Sequence, residues 1–227
     1  MQIIFWDIDG TLVRTGKAGL FAFEEAVAEL WSTNIDFSRI GTAGATDYSI
    51  ASEIIRTATG RQALEEEVVG LTRRYEELLA EHLEKREGWV LPSIRAILES
   101  LHESGFKSLL LTGNSRRGAE LKMRKFGLEH YFDFELSAFC EDSQIRDEVA
   151  ARALQKARLL TNQDTPRIFV IGDTPNDIRC GKNIGAYTIG VATGTFSLQE
   201  LESHLPWWAV AELPEPAVFM TKLAEAD

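Results

Sequence analysis

Two stretches of this chain carry an apolar run directly into acids: "IIFWDID", residues 3–9, and "IFVIGDTPND", residues 168–177. A carboxylate at the end of a buried strand is costly unless charge or hydrogen bonds compensate it. Runs of this kind recur at "QIIFW" (2–6), "KSLLLT" (107–112), "FDFELS" (132–137), "RIFVIG" (167–172) and "AYTIGV" (186–191), with a weaker one at "WWAV" (207–210). Each reads as a strand bounded by turn residues. Helix-period segments lie between them. Ile94, Ile97, Leu98 and Leu101 form one stripe, and Val149, Ala150, Ala153, Leu154 and Ala157 form another. Strands alternating with helices require parallel pairing through right-handed crossovers, which predicts an α/β fold with a three-layer, mostly parallel sheet. Ligands on such sheets bind beyond the carboxyl ends of the strands.

Residues 15–88 break the alternation. "AGLFAFEEAVAELW" puts Leu20, Phe23, Val27 and Leu30 on one helical face. "TDYSIASEII" opens on Thr46 as an N-cap and repeats apolar residues at Ile50, Ile54 and Ile55. "LEEEVVGLTRRYEELLAEHLEK" places Leu64, Val68, Leu71, Tyr75, Leu78 and His82 at spacings of four and three. Successive helices after the first strand predict an inserted helical subdomain. "EGWVLPSI" then returns the chain to the sheet, with Pro92 and Ser93 opening the next helix.

Charge and thiols narrow the partners. A net charge of −11 argues against nucleic acid, whose phosphates need a basic surface, and requires local cations to attract any anionic substrate. No apolar stretch approaches the roughly 18 residues of a membrane span, and the N-terminus has no basic start or cleavage site. Cys140 and Cys180 form no CxxC pair and read as reduced thiols. The expectation is a cytoplasmic monomer or homodimer with a small-molecule substrate, without nucleic acid or membrane.

The acid clusters converge on such a sheet. Asp7 and Asp9 follow the first run, Asp173 follows "RIFVIG", and Asp177 lies one helical turn later if a helix begins at Pro175. Adjacent strand ends can bring Asp7, Asp9 and Asp173 together, where their mutual repulsion calls for a cation or protons. Oxygen donors without histidine or thiol suit magnesium. A further strand end, "LLLTGNSRRG", offers the hydroxyl of Thr112 and the backbone amides of Gly113 and Asn114 ahead of a helix start, a cradle for an anion. Asn114 or Ser115 can cap that helix without conflict.

"DIDGT", "TGN" and "GDTPND", in this order, resemble the haloacid dehalogenase superfamily in its phosphoglycolate-phosphatase-like branch. The likeness spans nearly the whole chain. It implies a Rossmann-like core of residues 1–14 and 89–227 and a helical cap of residues 15–88. It implies that Asp7 is the nucleophile, forming an aspartyl-phosphate, and that Asp9 protonates the leaving oxygen and then activates water. Asp7, the backbone carbonyl of Asp9 and Asp173 hold magnesium in this reading, with Asp177 supporting directly or through water. Thr112, Gly113 and Asn114 bind the phosphoryl oxygens. An acid at position 9 points away from carbon–halogen cleavage, which needs no leaving-group protonation.

The resemblance also implies a basic residue, commonly lysine, after the next strand. No lysine lies between Lys125 and Lys156, and Arg146 is the best-placed cation for catalysis and phosphate binding. The alternatives are a surface arginine paired with Glu141 or Asp142, and Lys182 in its place. "RIGTAGATDYSI", residues 39–50, resembles a substrate-facing cap loop, and Arg14, Thr15 and Lys17 lie near the hinge. The expected activity is magnesium-dependent hydrolysis of a small phosphomonoester, a phosphorylated acid or sugar, with phosphoglycolate the first to test. A phosphomutase of the same superfamily is the nearest alternative. A non-enzymatic phosphoacceptor of the receiver type places its acceptor after a later strand than its acid pair, the reverse of the order here.

Overall fold

The computed structural model describes residues 2–31, 35–163 and 166–226. The chain opens with β1 (Ile3–Trp6) and β2 (Val13–Arg14), then α1 (Ala18–Trp31), α2 (Asp47–Thr59) and α3 (Glu65–Lys85). It continues through β3 (Trp89–Val90), α4 (Ile94–Glu103), β4 (Lys107–Leu110), α5 (Arg116–Lys125) and α6 (Arg146–Thr161). The last third holds β5 (Ile168–Gly172), α7 (Pro175–Asn183), β6 (Tyr187–Val191), α8 (Leu198–Ser203), β7 (Trp208–Val210) and α9 (Pro216–Ala224).

Five strands form one parallel sheet in the order β4-β1-β5-β6-β7. Side chains alternate across a strand, and the central strands are apolar on both faces. Ile4, Trp6, Phe169 and Ile171 join one buried cluster that includes Ile97 and Leu101 of α4 and Phe219 of α9. Ile3, Phe5, Ile168 and Val170 join a second one that includes Val149, Ala150 and Ala153 of α6 and Cys180 of α7. The three-layer expectation holds. Burying both faces of β1 and β5 also explains why their sequences run apolar instead of alternating.

β1 lies between β4 and β5, with Trp6 opposite both Leu110 and Ile171. The chain therefore leaves β1 with strands on either side, and a crevice opens at their carboxyl ends. Asp7, Thr112 and Asp173 all sit within two residues of those ends.

Three expectations need correction. "FDFELS" is not a strand. The Asp133 side chain accepts the amides of Glu135 and Leu136, and the Ser137 hydroxyl donates to the Asp133 carbonyl, so local turn bonds win over extension. Only Ala138 reaches the sheet, as a single bridge to Leu111. "GWV" does not rejoin the main sheet either. β3 pairs antiparallel with β2 as a separate two-stranded ribbon, Val13 opposite Val90 and Arg14 opposite Trp89. Leu30 and Leu64 fall off the buried stripes, at 49% and 53% exposure, because each sits near a helix end. The remaining stripe residues of α2 and α3 are buried, and Phe23 of α1 stacks on Tyr75 of α3 at 4.0 Å. The helices of residues 15–88 thus carry their own apolar contacts above the ribbon.

Among the described residues no helix is long and apolar enough to cross a membrane. Cys140 and Cys180 are free and buried.

Candidate active site

Asp7 follows β1 and is held by its amide, which donates to the Ile171 carbonyl at 2.9 Å. The amides of Ile8, Asp9 and Gly113 find no acceptor among the described residues, so three N–H groups remain free around the crevice. The hydroxyl of Thr112 accepts from the Asn114 side-chain amide at 2.8 Å and keeps its own proton to donate. Ser115, not Asn114, caps α5, accepting from the Gly118 amide at 3.1 Å.

Asp173 is fixed in a seat that only glycine permits. A Cβ on Gly194 would stand 1.6 Å from its Oδ2, and one on Gly10, where φ is +87°, would stand 2.5 Å away. Thr11 donates to its other oxygen at 3.2 Å. Asp177 is the N3 residue of a capping box on α7, where Thr174 donates to it through both amide and hydroxyl.

Arg146 joins these acids. One of its terminal nitrogens donates to Asp7 at 2.9 Å, to Asp177 at 2.5 Å and to the Leu111 carbonyl at 3.2 Å. Arg146 is 5% exposed and pairs with neither Glu141 nor Asp142. Its second terminal nitrogen lies 3.0 Å from where a Gly113 Cβ would stand. Lys182 is exposed and donates to the His204 carbonyl at 2.6 Å, away from the site.

Asp7, Asp173 and Asp177 each present a carboxylate oxygen within 4.8 Å of the others. Burial, then Asp177, raises the Asp7 carboxyl to about 7 in spite of Arg146. Burial, then Asp7 and Asp177, raises Asp173 to about 8. One arginine does not neutralise three buried acids. The donor set is all oxygen and the Asp9 carbonyl accepts no backbone hydrogen bond among the described residues, so these residues fit a hard divalent cation. Both Asp177 oxygens are already engaged by Arg146 and Thr174, which suits it to propping the site more than to ligation.

Asp7, Asp9, Gly113, Asn114, Arg146 and Asp173 line one cleft of about 480 Å³. Residues 42–47 close over it. The Asp47 amide donates to the Gly113 carbonyl at 2.7 Å, Thr46 Oγ1 to the Gln144 carbonyl at 2.9 Å, and Asn176 to the Gly44 carbonyl at 2.9 Å. Arg14 donates to the Thr193 carbonyl from the ribbon, and Lys17 lines the mouth.

Two buried polar residues at this site escaped the sequence reading. Asp47 accepts the Ser115 amide at 2.8 Å, and burial raises its carboxyl to about 7 against the opposing charge of Lys122. Lys122 itself donates to Asp9 at 2.5 Å. The signal for Lys122 was present in the sequence, because it shares a helical face with Ala119, Met123 and Phe126.

The sequence and the fold have relatives. A haloacid dehalogenase-like hydrolase family model matches residues 1–185, and a second model of related description matches residues 147–226. The chain is 22% identical over 197 residues to a phosphoglycolate phosphatase of Vibrio cholerae, covering 86% of this chain and 85% of that one. It is 22% identical over 216 residues to the pyrophosphatase PpaX of Halalkalibacterium halodurans, covering 95% and 94%. The crystal structure of a HAD hydrolase from Entamoeba histolytica superposes with a TM-score of 0.75 at 18% identity, covering 98% of this chain and 99% of that one. With its family model spanning most of the sequence, the chain belongs to the haloacid dehalogenase-like hydrolase family.

Proposed function

We propose that this protein is a magnesium-dependent phosphomonoester hydrolase that works through an aspartyl-phosphate on Asp7. The observation that carries this reading is the meeting of Asp7, the free amides of Asp9 and Gly113, and the Arg146 guanidinium in one cleft. That is a nucleophile facing a built receptacle for a phosphoryl group. Arg146 and the amides meet the charge that develops on the equatorial oxygens, which is where catalysis of phosphoryl transfer is concentrated. Asp7, Asp173 and the Asp9 carbonyl would hold the magnesium, with Asp177 supporting. When bound, the ion offsets the charge of the acids and the phosphoryl group.

The residues then divide the work. A carboxylate oxygen of Asp7 bonds to phosphorus while the ester P–O bond breaks, and Asp9 gives its proton to the departing oxygen. Asp9 then takes a proton from water as the water oxygen bonds to phosphorus. The Asp7–phosphorus bond breaks and inorganic phosphate leaves. Arg146 keeps Asp7 deprotonated enough to attack, opposing the effect of burial.

Residues 15–88 serve as the cap in this reading, with the β2–β3 ribbon at its hinge and residues 42–47 as the lid edge that excludes water. The substrate is a small phosphorylated metabolite, phosphoglycolate-like or a sugar phosphate. The name of the Vibrio cholerae relative makes phosphoglycolate the first ester to try. A panel of phosphomonoesters assayed with magnesium and with chelator, beside Asp7→Asn, tests the reading. Phosphate release that needs magnesium and vanishes in Asp7→Asn is expected. Undiminished turnover in Asp7→Asn overturns it, and isomerised product in place of free phosphate would make the protein a mutase.

A further inference from the structure

α5 is crowded with basic residues, and only one of them is drawn inside. Arg117, Arg124 and Lys125 are exposed and Arg116 is half-buried, whereas the Lys122 side chain is 4% exposed. Side chains on a helix lean toward its N-terminus, and the N-terminus of α5 begins just after the Thr112–Asn114 loop. Lys122 therefore reaches back along the helix to the catalytic cleft. Its ammonium donates to Asp9 Oδ2 at 2.5 Å and to the Asn114 side-chain carbonyl. The Asn114 amide donates in turn to the same Asp9 oxygen at 3.1 Å and to Thr112 Oγ1 at 2.8 Å. Asp9 Oδ2 is held by two donors, whereas Asp9 Oδ1 meets none among the described residues and the side chain is 41% exposed toward the cleft.

A buried ammonium is expensive to hold, and an apolar residue on this face of α5 would serve packing as well or better. The lysine must therefore be explained by what it touches. With the Asn114 side chain fully occupied by Lys122, Asp9 and Thr112, that residue joins the same network instead of reaching a phosphoryl oxygen with its amide.

Resting on the phosphomonoesterase reading above, we propose that Lys122 is a positioning residue that clamps one oxygen of Asp9 so that the other faces the ester oxygen. In the first half-reaction the proton on Asp9 Oδ1 passes to the leaving oxygen as the P–O bond breaks. The carboxylate left behind lies between the Lys122 ammonium and the Asn114 amide, and Lys122 keeps its own proton throughout. The clamp matters in proportion to how much the leaving group needs that proton.

The test compares kcat/KM for an alkyl phosphate and for 2,4-dinitrophenyl phosphate, whose leaving group departs without protonation. This parameter reports steps up to loss of the leaving group, so later hydrolysis of the intermediate does not enter. In Lys122→Met, which keeps the side-chain volume, kcat/KM for the alkyl ester falls roughly 10- to 100-fold, as for a misplaced catalytic group, whereas the dinitrophenyl ester is spared. In an Asp9→Asn background the same change adds no further loss for the alkyl ester. Equal losses on both esters, or none on either, overturn the clamp, and Lys122→Gln gives the same comparison should Lys122→Met fail to fold. Wild-type protein that releases phosphate from neither ester overturns the parent reading instead.

Discussion

Arg146 and Asp177 meet at 2.5 Å with both side chains buried, and the same guanidinium nitrogen reaches Asp7 at 2.9 Å. Asp177 is itself locked into the first turn of α7 by Thr174. The helix cap, the arginine and Asp7 thus form one connected chain of hydrogen bonds. Pairing on one side leaves the second terminal nitrogen of Arg146 beside Gly113.

Removing this cation leaves buried acids without their partner. Arg146→Ala therefore costs about 3–5 kcal/mol, the range for breaking a buried ion pair, and abolishes turnover. Arg146→Lys keeps the charge but loses the planar fork that spans two carboxylates and the cradle. It folds, and its kcat drops about 100-fold, as when one fixed donor to the transition state is lost. Urea titration and steady-state kinetics of the two variants check this. A stable, fully active Arg146→Ala would remove Arg146 from the mechanism.

The buried carboxyls also set how stability changes with pH. Asp7 and Asp47 are raised to about 7 and Asp173 to about 8, chiefly by burial. The folded state therefore holds protons that the unfolded chain releases near the ordinary carboxylate range of about 4. Stability from these groups is complete below that range and is lost as pH rises through the raised values. In chelator, the urea midpoint is expected to fall between pH 5 and pH 8. Magnesium restores much of it at pH 8 and little at pH 5, and Asp47→Asn flattens the share that magnesium leaves. A metal-free midpoint that climbs over this interval contradicts the assignment.

Gly113 joins the loop after β4 to residues 42–47 through the Asp47 amide, which donates to its carbonyl. A Cβ there would stand 2.1 Å from the Ala45 carbonyl oxygen, a backbone atom with little room to yield. Gly113→Ala pushes residues 42–47 away from the cleft, and KM rises several-fold with a smaller change in thermal midpoint. An unchanged KM would mean that this loop does not help enclose the substrate.

Much of this arrangement is legible in the sequence, for identifiable reasons. A strand buried on both faces has to be apolar throughout, so Ile3–Trp6 and Ile168–Gly172 stand out, and acids placed directly after them are conspicuous. Arg146 emerges through the family resemblance, which implies a cation after the next strand, in a segment without lysine. Lys122 is less conspicuous. It lies among other basic residues on α5, and only its place on the Ala119–Met123 face separates it from surface charge. The β2–β3 ribbon is two residues deep on each side, too short for any periodicity to register. "FDFELS" alternates like a strand, but Asp133 supplies side-chain and main-chain acceptors that curl it into turns. Asp47 is written as an ordinary first-turn helix acid, and only the docking of α2 on Ser115 buries it.

A covalent bond between Asp7 and phosphorus is the step on which the proposed hydrolysis depends. Mixing the enzyme with a reactive phosphomonoester, quenching in acid within one turnover and mapping the labelled peptide by mass spectrometry tests it directly. A phosphoryl group on Asp7, absent from Asp7→Asn and absent when the metal is chelated, is the predicted result. A burst of product with no label on the protein, or with the label on another residue, would contradict it.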